Sequence, residues 1–318
     1  MNKIPILLLA FNRADHIAKS MSEIRNYQPE KLYLECDGPR KNKAGEEKAV
    51  EETKQAMLAM IDWPCTIKTL FRDKNLGCAN AVYDAVSWFF DNEEWGVIIE
   101  DDVIVSQDFF KLCEILLPKY KDSDKILHIN AQYYGPPVNE TNELTFGVNM
   151  YCWGWASWAR AWKKMDMQLS GWPSFDKKIM FKHYGWFRSL FYMYYWNKAY
   201  KTIQQGTNSS WATRWNFTVL YNEGICISPK VNLSKNIGTS GGTHYTKYDI
   251  DPYEHLQIGN LQFPLSFPSA LKYDQKQLII DRKEFKRLRF IGLKKKIHMI
   301  ISRAISIQNK SGNKFAKS

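Results

Sequence analysis

Between residues 4 and 110, four short apolar runs alternate with longer stretches of helical periodicity. The runs are Pro5 to Ala10, Lys31 to Cys36, Thr66 to Phe71 and Gly96 to Glu100; the helical stretches are Ala14 to Asn26, Glu46 to Ile61 and Ala79 to Phe90. Strands so far apart in sequence cannot close as hairpins, whereas a crossover helix between them lets them pair in parallel. The pattern therefore predicts an α/β domain with a largely parallel sheet. In such a sheet the polar residues just past the strands gather in one crevice, where ligands bind.

The ends of these runs are Phe11-Asn12-Arg13, Asp37-Gly38-Pro39-Arg40, Arg72-Asp73-Lys74-Asn75 and Glu100-Asp101-Asp102. One sheet edge thus collects arginines and acids together, a mixture that suits a phosphorylated ligand held partly by side chains and partly through a divalent cation. The last group is the most informative. In "GVIIEDDVIVSQDFF" three acids stand between two apolar runs. An ionised carboxylate buried without a partner costs several kcal/mol, so the trio must reach solvent at a strand end or meet a cation. No G-x-G-x-x-G or Walker pattern is present, which disfavours dinucleotide and P-loop chemistry.

Six scattered cysteines without a C-x-x-C pair argue against a zinc knuckle or a disulfide framework and fit a reducing cytoplasm. The opening "IPILLLAF" reads as a first strand rather than a signal peptide. No run approaches the ~18 apolar residues that span a bilayer. The net charge of +11 is concentrated at one end: residues 282–318 hold twelve Lys or Arg against one acid, and the remaining 281 residues hold 32 of each sign. Phe290, Leu293, Ile297, Ile300, Ile301, Ala304 and Ile305 recur at three- and four-residue steps, predicting a basic amphipathic helix over about 285–307. Such a helix suits an anionic membrane surface. Stacking aromatics are nearly absent from it, so nucleic acid is not the expected partner.

Aromatic residues concentrate in the second half. Nine of the twelve tryptophans lie between Trp153 and Trp215, and Phe181 to Tyr200 is half aromatic. Single rings of this kind mostly fill cores, but the excess as a whole suggests a sugar-facing or interface surface.

Taken in order, "PILLLAFNR", "LECDGPR", "RDKNLGCANAV", "VIIEDDVIVSQDFF", "YCWGWASWARAW" and "ISPKVNLSKNIGTSGGTHY" resemble the GT-A nucleotide-sugar glycosyltransferases, in particular bacterial proteins similar to N-acetylglucosaminyltransferase I of family 13. The resemblance covers roughly Ile4 to Tyr245. It implies a GT-A, Rossmann-like fold at 1–275, with a nucleotide-sugar-binding half at 1–110, an acceptor-binding half at 111–275 and the basic tail at 276–318. It also implies Mn²⁺ or Mg²⁺ bound by Asp102, with Glu100 on the ribose and Asp101 on the donor sugar. Phe11, Asn12 and Arg13 would form the donor-binding first loop. Asp37, followed by Gly38, would accept from a uracil N–H, although Asp-Gly-Pro is also good turn chemistry. Arg13, Arg40 and Arg72 are candidate diphosphate contacts or else solvated surface charges. Asn75 and Gly77 would contact the donor or simply open a helix. His244, near Gly238, Gly241 and Gly242, resembles the histidine that completes the metal shell in many such enzymes. Trp153, Gly154, Trp155 and Trp211 would meet the acceptor.

What the resemblance implies is transfer of a hexosyl or N-acetylhexosaminyl group, with inversion, from a UDP-linked donor to a surface glycan; the basic tail adds the expectation of a lipid-linked acceptor met at the cytoplasmic face of the membrane. Inversion requires a carboxylate base. In "SSWATRWNF" Ala212 stands where close relatives often carry Asp, leaving Asp166, Asp176 and Glu223 as substitutes that no spacing distinguishes. A protein of this fold that binds a nucleotide or glycan without transferring a sugar is the alternative.

Overall fold

The computed structural model describes residues 3–136, 138–238, 256–281 and 283. Eleven strands and eight helices follow one another in the described residues: β1 (Ile6–Ala10), α1 (Ala14–Tyr27), β2 (Lys31–Cys36), α2 (Glu46–Ala59), β3 (Thr66–Phe71), α3 (Cys78–Asn92), β4 (Trp95–Glu100), β5 (Val103–Val105), α4 (Gln107–Lys119), β6 (Ile126–Asn130), β7 (Glu140–Gly147), β8 (Trp155–Trp158), α5 (Ala159–Trp162), α6 (Lys178–Tyr184), α7 (Trp186–Gln204), α8 (Trp211–Tyr221), β9 (Ile225–Pro229), β10 (Ser234–Asn236) and β11 (Asn260–Ser266). The expected helix over 285–307 and His244 lie outside the described residues.

Nine strands form one mixed, mostly parallel sheet in the order β11-β7-β9-β6-β8-β4-β1-β2-β3. β1 pairs in parallel with both β2 and β4, and β2 with β3. The order 3-2-1-4 arises because the chain steps outward through β2 and β3 and then returns to the other side of β1. The carboxyl ends of β1 and β4 therefore flank a topological switch point, where crossovers leave in opposite directions and open a crevice. All five residues of β1 are buried, as a central parallel strand covered on both faces requires. Helix α1 buries His16, Ile17, Ser20, Met21, Ile24 and Tyr27 at helical spacing.

Beyond β4 the sheet departs from the parallel rule. β8 runs antiparallel to both β4 and β6 and so joins the two halves of the chain. A separate two-stranded sheet pairs β5 with β10, Ser234 opposite Val105 and Asn236 opposite Val103. It brings a late segment of the chain against the acidic turn.

The expectation of a sugar-facing or interface surface is corrected for most of the tryptophans, although Trp186 is exposed and Trp153 lines a cavity. Trp155, Trp158, Trp162, Trp172, Trp196, Trp211 and Trp215 are all buried. Trp155 stacks on Trp211 with centroids 5.4 Å apart, and Trp162 lies 5.0 Å from Trp215. Trp155, Trp162, Trp211 and Trp215 pack on one another in the main core, Trp158 donates to the Leu117 carbonyl of α4, and Trp172 and Trp196 pack in a second cluster with Phe175 and Phe217. Large flat side chains give much buried apolar area per residue. All six cysteines are free. No helix among the described residues is long and apolar enough to cross a membrane.

Candidate active site

The acidic turn closes β4 and opens β5, which places it at the switch point. Its surroundings are specific. Glu100 accepts from Trp211 Nε1 at 3.2 Å and Asp102 Oδ2 from Arg13 Nη1 at 3.1 Å. Asp102 is also gripped by the end of β10 and the residue after it: Asn236 Nδ2 reaches its Oδ1 at 3.3 Å and the Ile237 N–H its backbone oxygen at 2.7 Å. A Cβ on Gly238 would lie 2.1 Å from Asp102 Oδ2, so only glycine passes there without displacing the carboxylate.

Three acids thus share one arginine. Burial, followed by the charge of Asp102, pushes Glu100 up to about 8 and Asp101 up to about 7. This excess of negative charge over positive is what a bound cation would relieve. Among the described residues no three His, Cys, Asp or Glu side chains converge as a metal cage. The donor set still fits Mg²⁺ or Mn²⁺, hard cations commonly held by one or two carboxylates with the remaining positions filled by phosphate and water.

The other strand-end residues are committed elsewhere. Arg72 is largely buried and pairs with both Glu35 and Asp84, so it is an internal counter-ion rather than a diphosphate contact. Arg40 donates from Nε to Glu46 Oε2 at 2.8 Å and covers the Phe11 ring at 5.5 Å. Asn12 Nδ2 reaches the same Glu46 at 3.0 Å, and Lys43 lies 3.3 Å from it. Hydrogen bonding from Arg40 pulls Glu46 down to about 2. Sequence reasoning missed Glu46 because it reads as an ordinary acid in the first turn of α2. The only hint was its place directly after Gly45 at the helix start.

Asp37 is likewise occupied. Its carboxylate accepts from the N–H groups of Gly38 at 2.9 Å, Leu76 at 2.9 Å and Gly77 at 3.1 Å, and from Asn75 Nδ2 at 2.9 Å. Four donors fill the lone pairs of a carboxylate, which leaves none for a uracil N–H. A Cβ on Gly38 would sit 2.3 Å from the Lys74 backbone nitrogen, so Gly38 serves the close approach of two chain segments. Asn75 and Gly77 belong to the same clamp, and Gly77, at φ +78, opens α3.

A cavity of about 240 Å³ is lined in part by Gln132, Tyr134, Tyr151, Trp153, Tyr195 and Ala212, and Trp211, which stands between its lining residues Ser210 and Ala212, links it to the acidic turn by donating to Glu100. Its wall at 150–153 hangs from alternate residues in and just after β6. His128 Nε2 meets the Tyr151 carbonyl at 3.1 Å, and Asn130 Oδ1 accepts the Tyr151 N–H at 2.7 Å. Gln132 Oε1 accepts the Trp153 N–H at 3.1 Å. Because Trp215 Nε1 donates to His128 Nδ1 at 3.1 Å, the histidine is the neutral tautomer with its proton on Nε2; burial pushes it down to about 4. The signal for this ladder, polar residues at every second position of "LHINAQ", was present in the sequence and went unread. Gly154 has φ +77, and a Cβ there would lie 2.3 Å from Val105 Cγ1.

Of the expected acceptor residues, Trp153 lines the cavity, whereas Trp155 is fully buried and faces the core. Trp211 is also buried and acts through Glu100. None of the three candidate bases lines the cavity. Asp166 caps a turn through Gln168 and Gly171, Asp176 accepts from the Lys178 N–H, and Glu223 pairs with Lys182 beyond the far end of α8.

No family model and no curated protein matches the sequence. Among solved structures, the mannosyltransferase PcManGT from Pyrobaculum calidifontis, in complex with GDP-Man and Mn²⁺, is similar over 49% of this chain and 45% of its own at 11% identity and a TM-score of 0.31. HddC from Yersinia pseudotuberculosis is similar over 49% and 77% at 11% identity and a TM-score of 0.31. The glycosyltransferase GlyE from Streptococcus pneumoniae TIGR4 is similar over 72% and 46% at 12% identity and a TM-score of 0.36. The chain spans less than half the length of the first and third. Likenesses this slight identify neither a family nor a substrate.

Proposed function

We propose that the chain is a metal-dependent glycosyltransferase that moves a sugar from a nucleotide-diphosphate donor, UDP-linked in first expectation, to a glycan acceptor. The observation that carries the reading is the acid-rich turn at the switch point, linked through Trp211 to a cavity lined by polar groups and aromatic rings. The crevice would take the nucleotide, and the cavity would take the acceptor. Asp102 would hold Mn²⁺ or Mg²⁺, whose chemistry when bound is to stabilise negative charge on the departing diphosphate. Arg13, the arginine on Asp102, would contact that diphosphate, Glu100 the ribose and Asp101 the donor sugar. Trp211, by holding the Glu100 carboxyl, fixes its direction. The basic segment at 282–318 would bring the protein to anionic lipid at the cytoplasmic face.

One observation favours a second reading. Among the described residues no carboxylate lines the cavity, and Ala212 stands in its wall where close relatives often carry Asp. A protein that binds nucleotide and glycan without transfer would have the same site. A hydrolysis screen over UDP-, GDP- and CMP-sugars with Mn²⁺, with and without EDTA, separates the two. Chelator-sensitive turnover supports the transferase, and tight chelator-sensitive binding of UDP without turnover supports the binding module. In calorimetric titration Asp102→Ala should lose metal-dependent UDP affinity while keeping its melting temperature. Unchanged affinity would remove Asp102 from the metal site.

A further inference from the structure

Helix α7 is apolar on the wrong side. It buries Ser189, Trp196, Ala199 and Ile203 against its own domain. Yet Trp186, Phe187, Leu190 and Tyr194 remain 67%, 86%, 50% and 66% exposed. Phe187, Leu190 and Tyr194 follow one another at three- and four-residue steps, and the same line continues through Lys198 and Lys201. One face of a 19-residue helix, about 28 Å long, therefore runs from large apolar side chains at its start to lysines at its end. Trp186 packs on Phe181 of α6 at 5.0 Å, so the α6–α7 corner forms an aromatic prow. A helix apolar on both faces is normally covered on both.

The charge around this face selects what covers it. From Lys177 to Gly206 the chain carries Lys177, Lys178, Lys182, Arg188, Lys198 and Lys201 and no acid; Lys182 pairs with Glu223 from outside that stretch, and the Lys177 ammonium donates to the Trp172 and Phe175 carbonyls. A second copy docked with its α7 running in the same direction would set Lys198 and Lys201 against their equivalents. The chain's own end, twelve Lys or Arg against one acid in residues 282–318, is of the same sign. An anionic bilayer satisfies both properties: tryptophan and tyrosine settle at headgroup level, apolar rings enter the acyl boundary and flanking lysines meet acidic headgroups. We propose that the exposed face of α7 and the α6–α7 corner dock on an anionic membrane, with Phe187, Leu190 and Tyr194 inserted and Lys198 and Lys201 on the headgroups. Tyr195, the next residue along, lines the cavity described above, so its mouth would open beside the lipid surface.

The test is co-sedimentation of the full chain with phosphatidylcholine vesicles, with and without phosphatidylglycerol, and needs neither donor nor acceptor. Its outcome is therefore separate from the transferase reading, and because every variant retains residues 282–318, the difference between variant and parent reports on α7 alone. Phe187→Ser, Leu190→Ser and Tyr194→Ser together should lower partitioning by at least about tenfold. Lys198→Glu with Lys201→Glu should lower it on anionic vesicles only. All five positions are exposed, and an unchanged melting temperature verifies the fold. Partitioning of the triple variant equal to the parent overturns the proposal, as does a parent that binds neither vesicle. A parent dimer that the triple variant dissociates, with vesicle binding unaffected, assigns the face to a second copy and likewise overturns it.

Discussion

Replacing Asp37 by alanine tests whether this residue holds the protein or the ligand. Its carboxylate takes four N–H donors at 2.9 to 3.1 Å, three of them from the Asn75–Gly77 segment that opens α3. Each hydrogen bond to a charged acceptor contributes about 1.5 to 3 kcal/mol, and a buried donor left without a partner carries a penalty of similar size. Water entering the small space vacated would serve some of the four. If two remain unserved, the loss is roughly 3 to 6 kcal/mol, which at an unfolding entropy of about 0.67 kcal/mol/K for a chain of this size lowers the melting temperature by about 4 to 9 °C. Asp37→Asn keeps one acceptor oxygen and should fall between variant and parent. Urea unfolding gives the stability, and amide exchange at Leu76 and Gly77 should quicken in the alanine variant. A melting temperature unchanged within about 1 °C, together with a large drop in UDP affinity, would refute the reasoning and return Asp37 to the nucleotide.

Gly154→Ala forces a side chain into positive φ and against Val105, so a loss of roughly 2 to 4 kcal/mol in urea unfolding is expected; a neutral result would mean that the cavity wall repacks freely. Ala212→Phe should fill much of the cavity, raising the acceptor KM while leaving UDP affinity as in the parent; lost UDP binding instead would place the nucleotide there. His128 is held near 4 against 6.5 when unfolded, so the unfolded chain takes up the proton first as pH falls. The stability it supports is complete above pH 6.5 and declines by about 3 kcal/mol as pH drops to 4. His128→Gln should lack that part of the slope in unfolding measured across the window, and parallel curves for the two proteins would dismiss the assignment.

The first half of the fold was open to reading because its strands are continuous apolar runs and its helices carry one buried stripe. β2 and β3 fall at Lys31–Cys36 and Thr66–Phe71 as expected, and β1 and β4 differ by one residue at a single end. The acidic turn was legible for the same reason, since acids between two buried runs have few places to go. What sequence could not supply was partnership. Nothing local tells that Arg72 turns inward to Glu35, that Arg40 and Asn12 meet on Glu46, or that Asp37 clamps a loop about forty residues ahead. Nor does periodicity show β8 entering between β4 and β6, because Trp155–Trp158 is buried throughout and carries no alternation. The tryptophans misled by their number: rings that pack on one another leave the same trace in a sequence as rings that face a sugar.

β8, hydrogen-bonded on one side to β4 and on the other to β6, makes the sheet a single stiff plate running beneath both the crevice and the cavity. A plate has no joint. Two lobes swinging shut about a flexible connection, a common means of shielding a reaction from water, is therefore not open to this molecule; any shielding has to come from peripheral segments folding down over a fixed floor. The same continuity predicts how the protein fails. Heating should melt both halves in one cooperative step, and a proteolytic cut near residue 110 should release no piece that stands alone, because each half supplies the hydrogen-bonding edge on which the other is built.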